Sequence, residues 1–138
     1  MAPFGKQPGV SMRRLLPAVL VLAACLPAEP PFQPYYWKLV SMGGQPFAAT
    51  ATLAYSEDGT TAFGQAPCNS WSGRVIREPF PVDMIRDVTA TEMACDDLPA
   101  EQAFFAGLAR ATHSGVGIGY LTLTDQQGFT MEFVPLSP

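Results

Sequence analysis

Three cysteines, Cys25, Cys68 and Cys95, are the residues of this 138-residue chain best suited to covalent chemistry. A thiolate can attack an electrophile, exchange with a disulfide or hold zinc, and each role needs particular neighbours. No two of them stand in Cys-x-x-Cys spacing, and no Lys or His adjoins Cys68 or Cys95 to lower a thiol pKa. Two sulfurs with the lone His113 fall short of the usual four zinc ligands, so neither a metal nor a cofactor is expected. Asp96, Asp97 and Glu101 could surround calcium, but their spacing lacks the alternating oxygen ligands of an EF-hand loop. They read more simply as acids that decorate and cap a helix start. His113 has no partnered Asp or nucleophile motif around it, and no catalytic residue is assigned. Asn69 and Trp71, in "GQAPCNSWSG", are the candidate binding residues. An amide there could donate to a ligand and an indole could stack on a sugar or peptide. The competing readings are an Asn that makes a local turn and a Trp folded over the mouth of a barrel.

These residues sit in two different settings. Cys25 ends "MRRLLPAVLVLAAC", in which two arginines precede an apolar run and small residues precede the cysteine. That is the layout of a secretory signal, and the run is well short of the ~20 residues that span a bilayer. Leu22, Ala23, Ala24 and Cys25 resemble the bacterial lipobox. The resemblance implies cleavage before Cys25, diacylglycerol on its thiol and acylation of the new amino terminus. Each buried methylene would contribute ~0.8 kcal/mol, so several acyl chains make a stable membrane anchor. Residues 1–24 are thus expected to be a leader with its core at 12–24. Residues 25–34 carry "LPAEPPFQP", four prolines in nine residues, and are expected to form a semi-rigid tether of ~3 Å per residue that holds the body off the membrane. Leu26, where an Asp could stand, is similar to lipoproteins sorted to the outer membrane of Gram-negative bacteria.

The remainder, 35–138, reads as one domain. All twelve acidic residues and five of the eight basic ones lie beyond Cys25, a net charge of −7. That sign repels phosphate backbones, and the scattered basic residues form no patch, so nucleic acid is not an expected partner. Short alternating segments separated by turn residues predict an antiparallel sheet. "YYWKLVSM" is a strand ended by Gly43 and Gly44. Ala51, Leu53 and Tyr55 share a face before an Asp58-Gly59 turn, and Phe63 belongs to the return strand. "GRVIREPFPVDMIRDV" gives one or two strands broken around Pro79 and Pro81. Leu121 and Leu123 pair across "DQQG" with Phe129, Met131 and Phe133.

One stretch, "LPAEQAFFAGLARAT", reads as helix. Pro99 suits its first turn, Glu101 favours the positive end of its dipole, and Phe104 and Leu108 share a face. Gly107 weakens it by up to ~1 kcal/mol relative to Ala. The predicted fold is mainly β: a small antiparallel β-barrel or strongly curled sheet with one helix packed across it.

Two runs stand apart, Gly-x-x-x-Cys-Asn-x-aromatic-x-Gly at 64–73 and Thr-x-Met-Ala-Cys at 91–95. With Trp37-Lys38-Leu39, Glu101, the helix and "GYLTL", they resemble the META domain family, also called HslJ-like, from about Trp37 to Val134. Pro67 stands where Gly is frequent and Trp71 where Tyr or Phe is common. The resemblance implies a small β-rich envelope or secreted domain, associated in some bacteria with heat-shock expression and antibiotic tolerance, and brings no functional residue with it.

If lipid consumes Cys25, Cys68 and Cys95 remain as an even pair in an oxidising compartment. A disulfide between them is the favoured reading. Buried free thiols, a redox-active pair and a metal site are the others. The expected function is a non-catalytic envelope lipoprotein, held to the membrane through Cys25 and binding an envelope protein or a small ligand. The alternatives are a thiol–disulfide redox protein using Cys68 and Cys95, and an enzyme with a convergent acid pair.

Overall fold

The computed structural model describes residues 3–5, 9 and 27–136. The leader core and Cys25 lie outside the described residues. Residues 27–36 have no regular structure and are largely exposed. The folded unit, Pro31–Pro138, contains strands β1 (Trp37–Met42), β2 (Gln45–Pro46), β3 (Thr52–Tyr55), β4 (Thr61–Gln65), β5 (Ser70–Ile76) and β6 (Met84–Ala90). Helix α1 (Leu98–Arg110) follows, then β7 (His113–Gly117), β8 (Tyr120–Thr124) and β9 (Thr130–Pro135).

All pairings are antiparallel, in the order β6-β5-β4-β3-β1-β9-β8-β7, with β2 added to β1. The period-2 pattern explains which face goes inside. Leu121 and Leu123, Met131 and Phe133, and Leu39 and Leu53 are buried, whereas Tyr120, Glu132 and Val134 between them face out. The helix supplies the other wall of the core. Phe104 and Leu108 are fully buried, as their one-turn spacing predicts, and Phe104 meets Trp71 edge to face at 5.7 Å. Gly107 has a packing reason that its low helix propensity hides: a Cβ there would press on the sulfurs of Met131 and Met42, at 2.9 and 3.0 Å.

The sheet is strongly curled and not closed. Its edge strands β6 and β7 do not pair as a ladder; near their starts the Asp83 N–H donates to the Thr112 carbonyl at 2.8 Å and Ser114 Oγ donates to Asp83 Oδ2 at 2.5 Å. Arg77 adds a 3.5 Å ion pair to Asp83 and lies 5.3 Å over the Tyr55 ring. Burial of the Tyr55 hydroxyl, helped by Asp83 and opposed by Arg77, pushes its pKa upward.

β7 is not apparent in the sequence, where Gly115, Gly117 and Gly119 read as a loose exit from the helix. Gly115 and Gly117 make room for cross-strand neighbours, since a Cβ at Gly115 would crowd Thr122 Oγ1 and one at Gly117 would overlap the Tyr120 ring, while Gly119 takes a φ of 79° in the turn. The Asp58-Gly59 turn is also wider than a two-residue hairpin. Five residues, Ser56–Thr60, separate the strands, and only Gly59 of the pair has positive φ.

Asp58 closes that turn by accepting from Ser56 Oγ (2.6 Å), the Thr60 N–H (3.0 Å) and Thr60 Oγ1 (2.8 Å). These bonds, Ser56 first, favour the carboxylate and lower its pKa from 3.8 to about 2. A depressed folded-state pKa means that the turn's contribution is complete above pH 3.8 and is lost as pH falls through about 2. A carboxyl titration followed by NMR should place the Asp58 midpoint well below that of a free Asp. Ser56→Ala should move the midpoint up; an unchanged midpoint removes Ser56 as the cause. Asp125 does the same work in the β8–β9 turn, accepting from the Gln127 and Phe129 N–H groups and from Arg110. Burial opposes its charge, but the Arg110 and backbone bonds outweigh it and lower the pKa.

Candidate functional site

The two runs singled out in the sequence come together at the start of α1. Cys68 and Cys95 are joined by a disulfide, with Cα atoms 5.6 Å apart across a sequence separation of 27. This fixes the loop after β4 to the loop after β6. Beside the bond lies a second connection that the sequence reading misassigns. Glu101, one turn into α1, does not decorate a solvated helix start: it is 5% exposed. Its Oε2 accepts the N–H groups of Cys68 (2.7 Å) and Asn69 (2.9 Å), while Oε1 accepts Asn69 Nδ2 (2.6 Å). Asp97, at the N-cap position, makes no side-chain capping bond. Asp96 and Asp97 are exposed, apart in environment from Glu101, and no three His, Cys, Asp or Glu residues gather as a metal site among the described residues.

Asn69 carries the connection onward. Its Nδ2 also donates to the Met93 carbonyl (3.0 Å), and its Oδ1 accepts the Met93 N–H (2.6 Å) and Thr91 Oγ1 (2.9 Å). The amide therefore makes four internal bonds, its full complement of two donors and two acceptor sites. It is 4% exposed and does not use a left-handed backbone. Asn69 thus faces inward as a bridge between the two loops and α1, not outward toward a ligand. Trp71 is inward too, 3% exposed, with Nε1 donating to the Thr52 carbonyl at 3.2 Å. Asn69 makes no local turn, since its amide partners lie 22 to 32 residues away, and Trp71 packs into the core against Phe104. His113 Nδ1 shares a 2.8 Å hydrogen bond with Thr112 Oγ1 and faces no carboxylate partner among the described residues.

The glycines bounding the first run have equally local causes. A Cβ at Gly64 would overlap the Thr52 carbonyl, and one at Gly73 would press on Ile85 Cγ2 at 2.7 Å. Thr52 cannot retreat cheaply, because its carbonyl holds Trp71 and its Oγ1 accepts the Gln65 N–H at 2.9 Å. Gly64→Ala is expected to destabilise the fold by about 2–3 kcal/mol, read as a lower midpoint in urea. A midpoint within error of the parent would show that β3 and β4 can separate without loss.

Two surfaces flank this cluster. A shallow cleft of 320 Å³ runs past Thr91, Met93, Ala94 and Leu98, where the Met93 side chain is 68% exposed. A larger apolar concavity of 440 Å³ lies beneath Tyr36, Phe63 and Leu136 on the outer face of the sheet. Tyr36 and Phe63 meet there edge to face at 6.1 Å.

A curled antiparallel sheet braced by one helix, with a Cys–Asn run locked to a Thr-x-Met-Ala-Cys run, is the architecture that these residues define. The META domain profile matches residues 30–138, and the chain belongs to the META domain family. Two solved structures share the fold. An NMR structure of a protein from Burkholderia xenovorans is 23% identical with a TM-score of 0.58, the match covering 75% of this chain and 83% of that one. A second protein solved by NMR is 17% identical with a TM-score of 0.54, covering 72% and 87%. Comparison with curated proteins gives no match.

Proposed function

We propose that the chain is a cell-envelope lipoprotein, anchored through lipid on Cys25 and facing the periplasm from the outer membrane, whose META domain acts by binding and not by catalysis. The observation that carries the non-catalytic reading is the use made of the family's own signature. Cys68, Asn69, Thr91, Cys95 and Glu101 hold one another, with the disulfide and the Glu101–Asn69 bonds in a single cluster. Residues that specify the family are thereby assigned to architecture. The large apolar side chains exposed at this end are on the rim, Met93 and Leu98, beside the exposed acids Glu92, Asp96 and Asp97. The anchor rests on the leader pattern and the residues around Cys25.

Intact-mass analysis of the chain purified from bacterial membranes tests the anchor: a mature amino terminus at Cys25 carrying acyl mass is expected, and an unmodified leader removes it. Complementation of a deletion strain under envelope stress tests the role. Wild type should restore growth, and Cys25→Ser and Met93→Asp should each restore less. Full rescue by both variants would leave neither anchor nor rim with a part in function.

A further inference from the structure

Continuing the strand registers across β8, β9 and β1 brings an unexpected set of side chains together on the outer face. The pairs Leu121–Phe133 and Leu39–Phe133 fix these three strands against one another. One residue further out, Tyr120, Val134 and Lys38 form a row. Beyond it, Leu136 donates its N–H to the Tyr36 carbonyl at 2.9 Å, level with the β7–β8 turn at Ile118. Tyr36, Tyr120, Val134 and Leu136 are 37, 51, 36 and 44% exposed, and Ile118 is fully exposed. The row continues into the 440 Å³ concavity beside Phe63.

The charges are arranged to match. Arg74, Arg77 and Arg110 each pair with an aspartate elsewhere, whereas Lys38, at the β1 side of this patch, has no ion pair among the described residues, nor has Arg86 on β6. No Asp, Glu, Lys or Arg occurs from Ala111 to Thr124. The outward carboxylate on these strands, Glu132, lies further along β9 and accepts Ser41 Oγ at 2.6 Å. Tyrosines, aliphatic side chains and a lysine with a long apolar stem form the composition suited to a membrane–water interface, where the ring and stem meet acyl chains and the polar tip meets headgroups. This is also the end of the sheet at which the chain arrives, since β1 starts at Trp37, twelve residues after Cys25. At ~3 Å per residue the intervening segment spans about 36 Å, so a lipid on Cys25 would set that upper limit on the distance between this end and the bilayer.

From this we infer that the outer-face patch around Tyr36, Lys38, Tyr120 and Val134, with Ile118 at its tip, docks on the surface of the phospholipid bilayer. The inference rests on the proposed lipid anchor, and the two are separable by experiment. The full-length protein, matured in bacteria and carrying Ile118→Cys or Gln127→Cys labelled with an environment-sensitive dye, is mixed with vesicles of phosphatidylethanolamine and phosphatidylglycerol. Both positions are exposed turns, so the labels leave the core untouched. Co-sedimentation with vesicles reads the anchor; blue-shifted emission quenched by brominated lipid reads docking. Docking gives sedimentation of both proteins, with the shift and quenching at position 118 and neither at 127. Sedimentation with both dyes in water overturns docking and leaves the anchor standing. Failure to sediment overturns both. A shift at 118 that grows with protein concentration without lipid assigns the patch to a second copy of the chain and overturns the bilayer.

Discussion

Glu101→Gln is expected to lower stability by about 3–5 kcal/mol, a large part of the ~5–15 kcal/mol available to a domain of this size. The substitution conserves shape and removes one acceptor. The carboxylate receives donors on both oxygens: two backbone N–H groups on Oε2 and the Asn69 amide on Oε1. A glutamine must turn its own NH2 toward one of those sides, so donor faces donor whichever way it rotates. Asn69 cannot resolve the conflict by flipping, because its Oδ1 already accepts the Met93 N–H and Thr91 Oγ1. Each bond to a charged acceptor is worth ~1.5–3 kcal/mol, and buried donors left unpaired add their own penalty.

A second substitution makes the argument specific. Adding Asn69→Asp to Glu101→Gln lets the new amide donate to the new carboxylate while its oxygen keeps the two backbone donors. The bond from position 69 to the Met93 carbonyl is then lost and the new carboxylate oxygen faces that carbonyl, so one acceptor–acceptor contact, relieved where the new acid takes up a proton, stands in place of the donor–donor conflict. The double variant should therefore be more stable than Glu101→Gln alone, by at least ~1 kcal/mol, in urea denaturation. Stability that simply sums the two single losses would show that donor–acceptor matching is not what holds Glu101 in place.

That carboxylate also marks the limit of what the sequence alone could tell. Alternation exposed the strands whose two faces differ strongly, as in β8 and β9, and helix spacing identified the buried pair Phe104 and Leu108. β7 escaped because its glycines carry no side-chain pattern; their reason is room for Thr122 and Tyr120 across the ladder. Glu101 escaped because an acid in a first helical turn has an adequate local explanation in the helix dipole. Its actual partners, Cys68 and Asn69, are 33 and 32 residues away and are brought to it by the curl of the sheet. Asn69 and Trp71 were visible as unusual residues, but a chain of letters gives no burial, and burial decides whether an amide serves a ligand or a neighbouring loop. The pairing of Cys68 with Cys95 needed only a count, given a different fate for Cys25.

Cys68→Ala with Cys95→Ala is expected to cost about 3–4 kcal/mol, since the bond spans 27 residues and its loss frees that loop in the unfolded chain. For a domain of about 100 residues this lowers Tm by roughly 12–30 °C. The loss should not add to that of Glu101→Gln. Both connections hold the 66–69 loop, the disulfide to the 91–97 loop and Glu101 to α1, so once one is gone the other has less order to preserve. The measurement also separates the architectural role from thiol–disulfide exchange. A structural bond resists mild reductant in the folded protein, and its removal reads out as stability. A redox couple would reduce readily, show a thiol titrating near neutral pH by alkylation rate, and leave the fold stable within about 1 kcal/mol. The second pattern would transfer the functional assignment from the rim at Met93 to the sulfurs themselves, and Cys95, the more exposed of the two, would be the attacking position.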